Sequence, residues 1–395
     1  MEAGAAKKRI YFEGLNEVRA LAALGVLFHH VELFKNILNM PSLCQSNVYG
    51  KYVGHLLGHL GKNGVYVFFV LSGFLITYLL LAEKEKLGKI DFKKFYVRRI
   101  LRIWPLYYMT VFISFVIIPL LALNIEAFEY STHYYDRVVR MVNDPYLSLF
   151  LYLFFMPNVA LKIKQTVAGC SQAWSVGVEE QFYLIWPQLI QRINTKYLMI
   201  LFVGVVLLPY SYIPARFISA DLSKGISAFF SIFPIQIMAM GAVGAYLYYY
   251  YKEKIMLLLR SRILFALNTL IFITLLFIPM SNTVFNAVVL LELLLVMQPH
   301  FRFNLRNKYL SRIGVLSYGV YMYHPFVMYL MFSLWFAVFG KDNLPTTWLY
   351  NTLLYVSIIL VTLLLSHFSY EYFEKRFIAL KNKKYTVLKS GEKVE

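Results

Sequence analysis

The sequence predicts an all-α integral membrane protein of about ten transmembrane helices plus a short re-entrant helix. Three observations carry that expectation. Of 395 residues, 59% are hydrophobic and 15% charged, with a mean hydropathy of +0.58; soluble domains sit near ~45–50% apolar and ~25% charged. Apolar runs of roughly 20 residues, the length a spanning helix needs, recur along the chain. The basic residues behind the formal charge of +18 fall between those runs, in Lys84–Lys94, Arg98–Arg102, Lys252–Arg262, Arg302–Arg312 and Lys375–Lys393. Cytoplasmic loops show that pattern under the positive-inside rule. The composition excludes a soluble enzyme, a disordered tail, a disulfide-rich secreted scaffold and a nucleic-acid-binding module.

A backbone in lipid must satisfy its own hydrogen bonds, so each run reads as a helix. Spans are expected near 17–37, 64–82, 103–123, 182–194, 197–213, 229–250, 263–280, 284–299, 313–339 and 348–367. Met1–Glu13 is polar and the first run carries Arg19 without a small-residue cleavage site, so no signal peptide is expected. The run 148–161 is apolar but short. Basic Met1–Arg9 belongs inside, and three spans then put 124–147, with Glu126, Glu129, Asp136 and Asp144, outside. A full crossing at 148–161 would carry every later basic loop outside. A dip and return keeps Lys196, Lys252–Arg262, Arg302–Arg312 and the C-terminus inside. The segment is therefore read as re-entrant, which needs protein or a water-filled cavity around it.

Both termini are then cytoplasmic, in a multi-pass protein of the cell (inner) membrane. Cys44 and Cys170 share the outer face, where a disulfide or two separate thiols both fit. One unit is expected: a single transmembrane domain over 1–395, with its core at about 14–378 and a basic tail at 379–395. No internal repeat is visible, which weighs against a secondary transporter. A homo-oligomer is compatible with the sequence.

Ionisable residues inside spans are costly and point to function. In the first span, His30 follows Arg19 by eleven residues, so the two share a face with roughly 16 Å of rise between them. Histidine suits proton abstraction, as from a hydroxyl attacking an activated acyl group. The plain alternative makes His29 and His30 hydrogen-bonded interior histidines. Arg99 and Arg102 share a face at a membrane edge, and guanidinium forks suit phosphate; ordinary positive-inside anchoring is the alternative. Glu179 and Glu180 open a later span, set either to orient a histidine or simply to favour a helix N-terminus capped by Ser175. His324 lies mid-span before the kinking Pro325. Ser72 and Gly73 read as small residues for close helix packing, and Tyr246–Tyr251 as an interfacial aromatic belt. No CxxC, metal-ligand spacing, GxGxxG, Walker A, HExxH or GxSxG is present.

Taken in order, these elements resemble the acyltransferase-3 family of integral membrane acyltransferases. Gly14–Ala22 resembles its opening L-D-G-L-R-A-x-A, although Asn16 and Glu17 replace aspartate and glycine. The family's histidine falls eleven residues after that arginine, at His30. Phe68–Phe74, Arg99 with Arg102, Trp174–Tyr183, Ser317–His324 and Glu371–Lys375 resemble F-F-x-L-S-G-F, R-x-x-R, W-S-x-x-x-E-E-Q-F-Y, S-Y-x-x-Y-x-x-H and the closing E-x-x-x-E-(K/R), with Arg376 where proline is common. The resemblance implies transfer of an acyl group, usually acetyl, from cytoplasmic acyl-CoA to a hydroxyl of a glycan or glycoside at the outer face. Arg19, Arg99 and Arg102 would hold the CoA phosphates and His30 would be the base. Glu179 and Glu180 would orient it, and His324, Tyr321, Trp174 and Ser175 would line the acceptor site. No metal is implied, and no nucleophilic Ser or Cys elbow is visible, which favours direct attack. The competing reading is a transporter or flippase for a glycan or lipid intermediate, its buried charges marking a proton or substrate path.

Overall fold

The computed structural model of the chain describes residues 10–38, 40, 49–125, 132–164, 166–277, 282–297, 307–340 and 348–387. Met1–Arg9, Cys44, Glu126, Glu129, Arg302 and the end of the basic tail lie outside the described residues. Among those described there are eighteen α-helices and no strand. They are α1 (Leu15–Ile37), α2 (Tyr49–Leu87), α3 (Phe92–Phe112), α4 (Ile118–Asn124), α5 (Thr132–Asn143), α6 (Tyr146–Leu153), α7 (Pro157–Ile163), α8 (Ala173–Arg192) and α9 (Thr195–Leu207). There follow α10 (Tyr212–Ala215), α11 (Ala220–Ile232), α12 (Ile235–Tyr250), α13 (Lys252–Leu258), α14 (Arg262–Phe277), α15 (Asn282–Val296), α16 (Lys308–Phe339), α17 (Trp348–Ser369) and α18 (Lys375–Lys384). A π turn at Ile113–Ile117 joins α3 to α4, and another at Tyr370–Glu374 joins α17 to α18.

Local sequence sets several helix starts. Asp91, Asn194, Ser219 and Asn307 accept backbone N–H bonds and cap α3, α9, α11 and α16. At Asp91 the bond from the Lys94 N–H holds the carboxyl below its usual pKa. Ser175 is not a cap: α8 starts two residues before it, and its hydroxyl bonds the Gln172 carbonyl and Tyr321.

Five helical stretches are long and apolar enough to cross a membrane: Leu56–Leu87, Phe92–Asn124, Thr195–Ala215, Lys308–Phe339 and Leu349–Lys384. Counting α11 with α12 (bent by 64°) and α13 with α14 (bent by 82°) as one span each gives seven. Five to seven of the expected ten spans therefore meet this test of length and hydropathy among the described residues. α1 has the length, but Glu17, Arg19, Glu32 and Lys35 interrupt its apolar run, and α2 and α16 cover it on either side. α8 is interrupted by Glu179, Glu180 and Gln181. α15 has 15 residues, a rise of about 22 Å against a hydrocarbon core of about 30 Å. Residues 148–161 form the short α6 and α7, which meet at Phe155 with φ 56°. A ring stack on Tyr107 at 4.3 Å and a bond from Gln181 to its carbonyl hold that left-handed residue.

The central helices form a row, α9–α12–α2–α1–α16–α17, with α3 and α8 packed across it. Glycine sets the closest approaches in that row. A Cβ on Gly73 would lie 1.9 Å from the Met238 carbonyl oxygen, and one on Gly241 would lie 2.1 Å from that of Val70. On the other side of α1, a Cβ on Gly314 would lie 1.9 Å from the Asn16 carbonyl oxygen. The packing expected of Gly73 is therefore real, but its neighbour Ser72 has a different partner, described below.

This backbone contact predicts that Gly241→Ala destabilises the bundle by ~1–3 kcal/mol through overpacking. Gly204→Ala, at a glycine with open space around it, should leave stability unchanged or slightly raised. Thermal unfolding of both variants in detergent checks this, and equal midpoints would remove the close-approach argument.

Candidate active site

The stripe on α1 places two different environments one above the other. At its lower end Arg19 enters a chamber of about 970 Å3 enclosed by α1, α2, α3, α8, α16 and the α17–α18 junction. The lining carries seven cationic side chains (Arg19, Arg98, Arg99, Arg102, Arg312, Lys375 and Lys381) against four carboxylates (Glu83, Glu179, Glu371 and Glu374). The surplus is positive, so the space favours a polyanion.

The seven cations are not equivalent. Arg98 pairs with Glu83 at 3.1 Å, and Arg312 and Lys375 share Glu371 at 2.5 and 2.9 Å. Arg19, Arg99 and Arg102 are in none of these pairs. Arg19 reaches only the neutral Asn16 amide oxygen, at 3.4 Å, and Asn16 in turn donates to Ser311 on α16. Arg99 lies over the rings of Phe95 and Tyr183, and its buried Nε has no hydrogen-bond partner. Guanidinium groups in this state retain their charge and their donors for a ligand.

Glu179 projects into the same chamber. Its carboxylate accepts from Ser72 Oγ at 3.0 Å and Tyr183 Oη at 2.8 Å. Glu180 accepts from the Trp104 indole at 2.9 Å and leaves its second oxygen buried without a partner. Neither glutamate is what bonds His30. Glu179 belongs to the arginine chamber, and the Ser72 hydroxyl, read from sequence as packing, is one of its two donors.

The chamber ends at Phe68, Ser175 and Tyr321. Tyr321 Oη meets Ser175 Oγ at 2.8 Å and donates to the Gln172 carbonyl at 3.1 Å. The Tyr321 ring lies 5.9 Å from that of His324, one turn further along α16. Beyond this partition is the second environment. His324, fully buried, places Nε2 3.1 Å from His30 Nδ1, and the two rings are 4.9 Å apart.

The backbone fixes the protons. His324 Nδ1 faces the Val320 carbonyl at 3.2 Å and His30 Nδ1 faces the Val26 carbonyl at 3.0 Å. A carbonyl accepts only, so both Nδ1 atoms carry hydrogen in the neutral rings. His324 Nε2 is then an acceptor for His30 Nδ1–H, and the lone pair of His30 is left on Nε2. One imidazole thereby sets the tautomer of the other, the role a carboxylate fills beside many catalytic histidines. His29 follows the plain alternative: its Nδ1 bonds the Leu57 carbonyl at 2.7 Å, and its ring occupies the space Gly61 leaves.

Of the residues singled out from sequence, Arg19, Arg99, Arg102, Glu179, Ser175 and Tyr321 meet in the chamber, and His30 and His324 meet behind it. Trp174 packs edge-on against Phe69 instead and does not line the chamber. Arg312, Glu374 and Lys381 were missed as chamber residues. The spacing Glu371, Glu374, Lys375 places three charges on one helical face, which was the available signal. Cys170 is a buried free thiol whose pKa burial pushes up to about 12, so it is a poor nucleophile.

These features define a multi-pass helical membrane protein built around an arginine-lined chamber that stops short of a histidine pair. The chain belongs to the acyltransferase-3 family, whose acyltransferase-domain profile matches residues 12–367. It is 27% identical over 210 residues to the peptidoglycan O-acetyltransferase OatA of Listeria monocytogenes serovar 1/2a, covering 51% of this chain and 28% of that protein. A putative O-acetyltransferase of Staphylococcus aureus strain COL is 28% identical over 184 residues (46% of this chain, 25% of the relative). The O-acetyltransferase OatA of Staphylococcus aureus strain NCTC 8325 is 24% identical over 396 residues, 92% of this chain and 57% of the relative. The chain thus spans between about a quarter and just over half the length of these relatives. No solved structure matches it.

The tautomer argument predicts that His30 carries its proton on Nδ1 and none on Nε2. Solid-state NMR of 15N-histidine protein, assigned with His30→Gln, reads this directly. His324→Phe should shift the His30 signals by removing the acceptor, and an Nε2–H tautomer in the unaltered protein would contradict the geometry.

Proposed function

We propose that the protein is a membrane O-acyltransferase, acting as one transmembrane unit, that moves an acyl group from acyl-CoA to a glycan hydroxyl. The observation that carries the reading is the bare Nε2 of His30, set by the Val26 carbonyl and His324, one partition away from three arginines that form no ion pair among the described residues. Acetyl is the favoured group because the relatives named above are O-acetyltransferases. Peptidoglycan is the acceptor class we favour, since it is the one named for the Listeria relative.

In this reading the CoA phosphates lie among Arg19, Arg99 and Arg102, and the thioester reaches the partition at Tyr321 and Ser175. The acceptor hydroxyl comes to His30. Nε2 takes the hydroxyl proton as the oxygen attacks the thioester carbonyl. The carbon–sulfur bond breaks, the CoA thiolate leaves, and the imidazolium returns a proton to it. His324 accepts throughout from His30 Nδ1–H and so favours the imidazolium that forms. Glu179, held by Ser72 and Tyr183, is a fixed negative charge that spaces the arginines and is not a second base. The positive-inside pattern supports a donor side facing the cytoplasm, with both termini there, and an acceptor side facing outwards.

Two variants separate the halves of the site. With acetyl-CoA and a crude cell-wall glycan extract, CoA release should fall ~10²–10⁴-fold in His30→Ala, the range lost with a general base, while donor binding persists. Arg99→Gln/Arg102→Gln should instead raise the KM for acetyl-CoA by about tenfold or more, the effect of losing charge-assisted phosphate contacts, and change kcat less. Turnover that survives in His30→Ala would sink the base assignment. Absence of acyl-CoA binding by calorimetry across acetyl, succinyl and longer chains would sink the donor assignment.

A further inference from the structure

The stretch from Phe368 to Val387 lies beyond the region the acyltransferase profile matches, yet it supplies a wall of the chamber. After Ser369, α17 passes through the π turn at Tyr370–Glu374 and continues as α18. A π turn takes about one residue more than an α turn, so the faces of α18 are rotated by about 100° from those of α17. Along the new face Tyr370, Glu374, Ile378 and Lys381 recur every three or four residues, and all four line the chamber.

The wall is fastened. α18 lies against α3, and past its end the Tyr385 carbonyl accepts from Arg98 Nη1 at 3.2 Å while Glu83 holds the other arm of Arg98. The charge on α18 is also sorted. Lys381 turns into the chamber and is half-buried, whereas Lys383 and Lys384 are exposed and outside its lining. The chamber therefore holds two groups of cations. Arg19, Arg99 and Arg102 form one on α1 and α3; Lys381, with Arg312 and Lys375, forms another on the α16–α18 side.

We propose that α18 is the wall that reads the nucleotide end of the donor, with Lys381 taking the 3′-phosphate of acyl-CoA. The pyrophosphate lies with the three arginines. The proposal rests on the acyl-CoA reading above and adds a recognition residue outside the family-matched region. It is a binding contact with no part in the proton transfer.

The test is nucleotide binding to the full chain in zwitterionic nanodiscs, which needs no turnover. Calorimetry compares adenosine 3′,5′-bisphosphate with adenosine 5′-monophosphate, which lacks the 3′-phosphate. The unaltered protein should prefer the bisphosphate by about tenfold, the size of one charge-assisted contact. Lys381→Gln should abolish that preference and raise the KM for acetyl-CoA but not for acetyl-dephospho-CoA. Lys384→Gln should keep the preference and controls for general charge and for folding. A preference that survives in Lys381→Gln, or that is lost equally in both variants, overturns the proposal. So does a Lys381→Gln effect confined to association with phosphatidylglycerol vesicles, which would make α18 a lipid-contact helix. An intact, Lys381-dependent preference in a protein that never turns over acetyl-CoA supports the wall and tells against the acyl-transfer reading instead.

Discussion

Charge with no direct ion-pair partner among the described residues, inside an apolar bundle, is the constraint from which the rest of this structure follows. Moving one ion from water to a dry interior costs of order 20 kcal/mol in the idealised limit, and still several after relaxation. Arg19, Arg99 and Arg102 avoid that cost by sharing a solvent-accessible chamber. A helix bundle that keeps such a space must compensate in packing elsewhere. It does so where α2 meets α12 and where α1 meets α16, with glycines that bring backbone against backbone. The open region and the tight contacts lie close together because α1, α2 and α16 take part in both.

The second layer of organisation is polar and local. Each of the four chamber carboxylates is tied down: Glu179 by Ser72 and Tyr183, Glu83 by Arg98 and the Asp91 N–H, Glu371 by Arg312 and Lys375, and Glu374 by Ser369. Tied carboxylates cannot swing over and quench the free guanidinium groups. Asn16 matters for the same reason. The resemblance leads one to expect an aspartate there, which would sit beside Arg19 as a counter-ion. The amide leaves Arg19 its full charge while still bridging to Ser311.

Much of this was legible in the chain, and the limits have physical causes. The all-helical membrane character followed from composition, and the Arg19–His30 stripe from helix periodicity alone. Span number followed in part, since five to seven stretches among the described residues pass the test of length and hydropathy. Hydropathy averages over a whole helix, and α1 and α8 carry charges on their inner sides that lower that average, although each also exposes leucine on another side. The partner of His30 was also out of reach. His324 was noticed as an intramembrane histidine, but 294 residues separate the two, and no periodicity spans that distance. The adjacent glutamates drew the orienting role because carboxylates usually fill it. Ser72 was read as a small residue because its hydroxyl has meaning only once Glu179 is opposite. The α17–α18 wall was hidden because its lysines look like any basic tail until the π turn rotates them inward.

The partition at Tyr321 has a consequence for the membrane itself. A wet, charged cavity that ran the length of the bundle would be a channel, and any cell carrying it would leak ions down its gradients. Here the chamber ends at Phe68, Ser175 and Tyr321, the tyrosine pinned by Ser175 and the Gln172 carbonyl. The smallest motion that would join the two spaces is a ring turning about its own bonds, a local event. A charged chamber that ends short of the histidine pair is not a continuous ion path through the bundle.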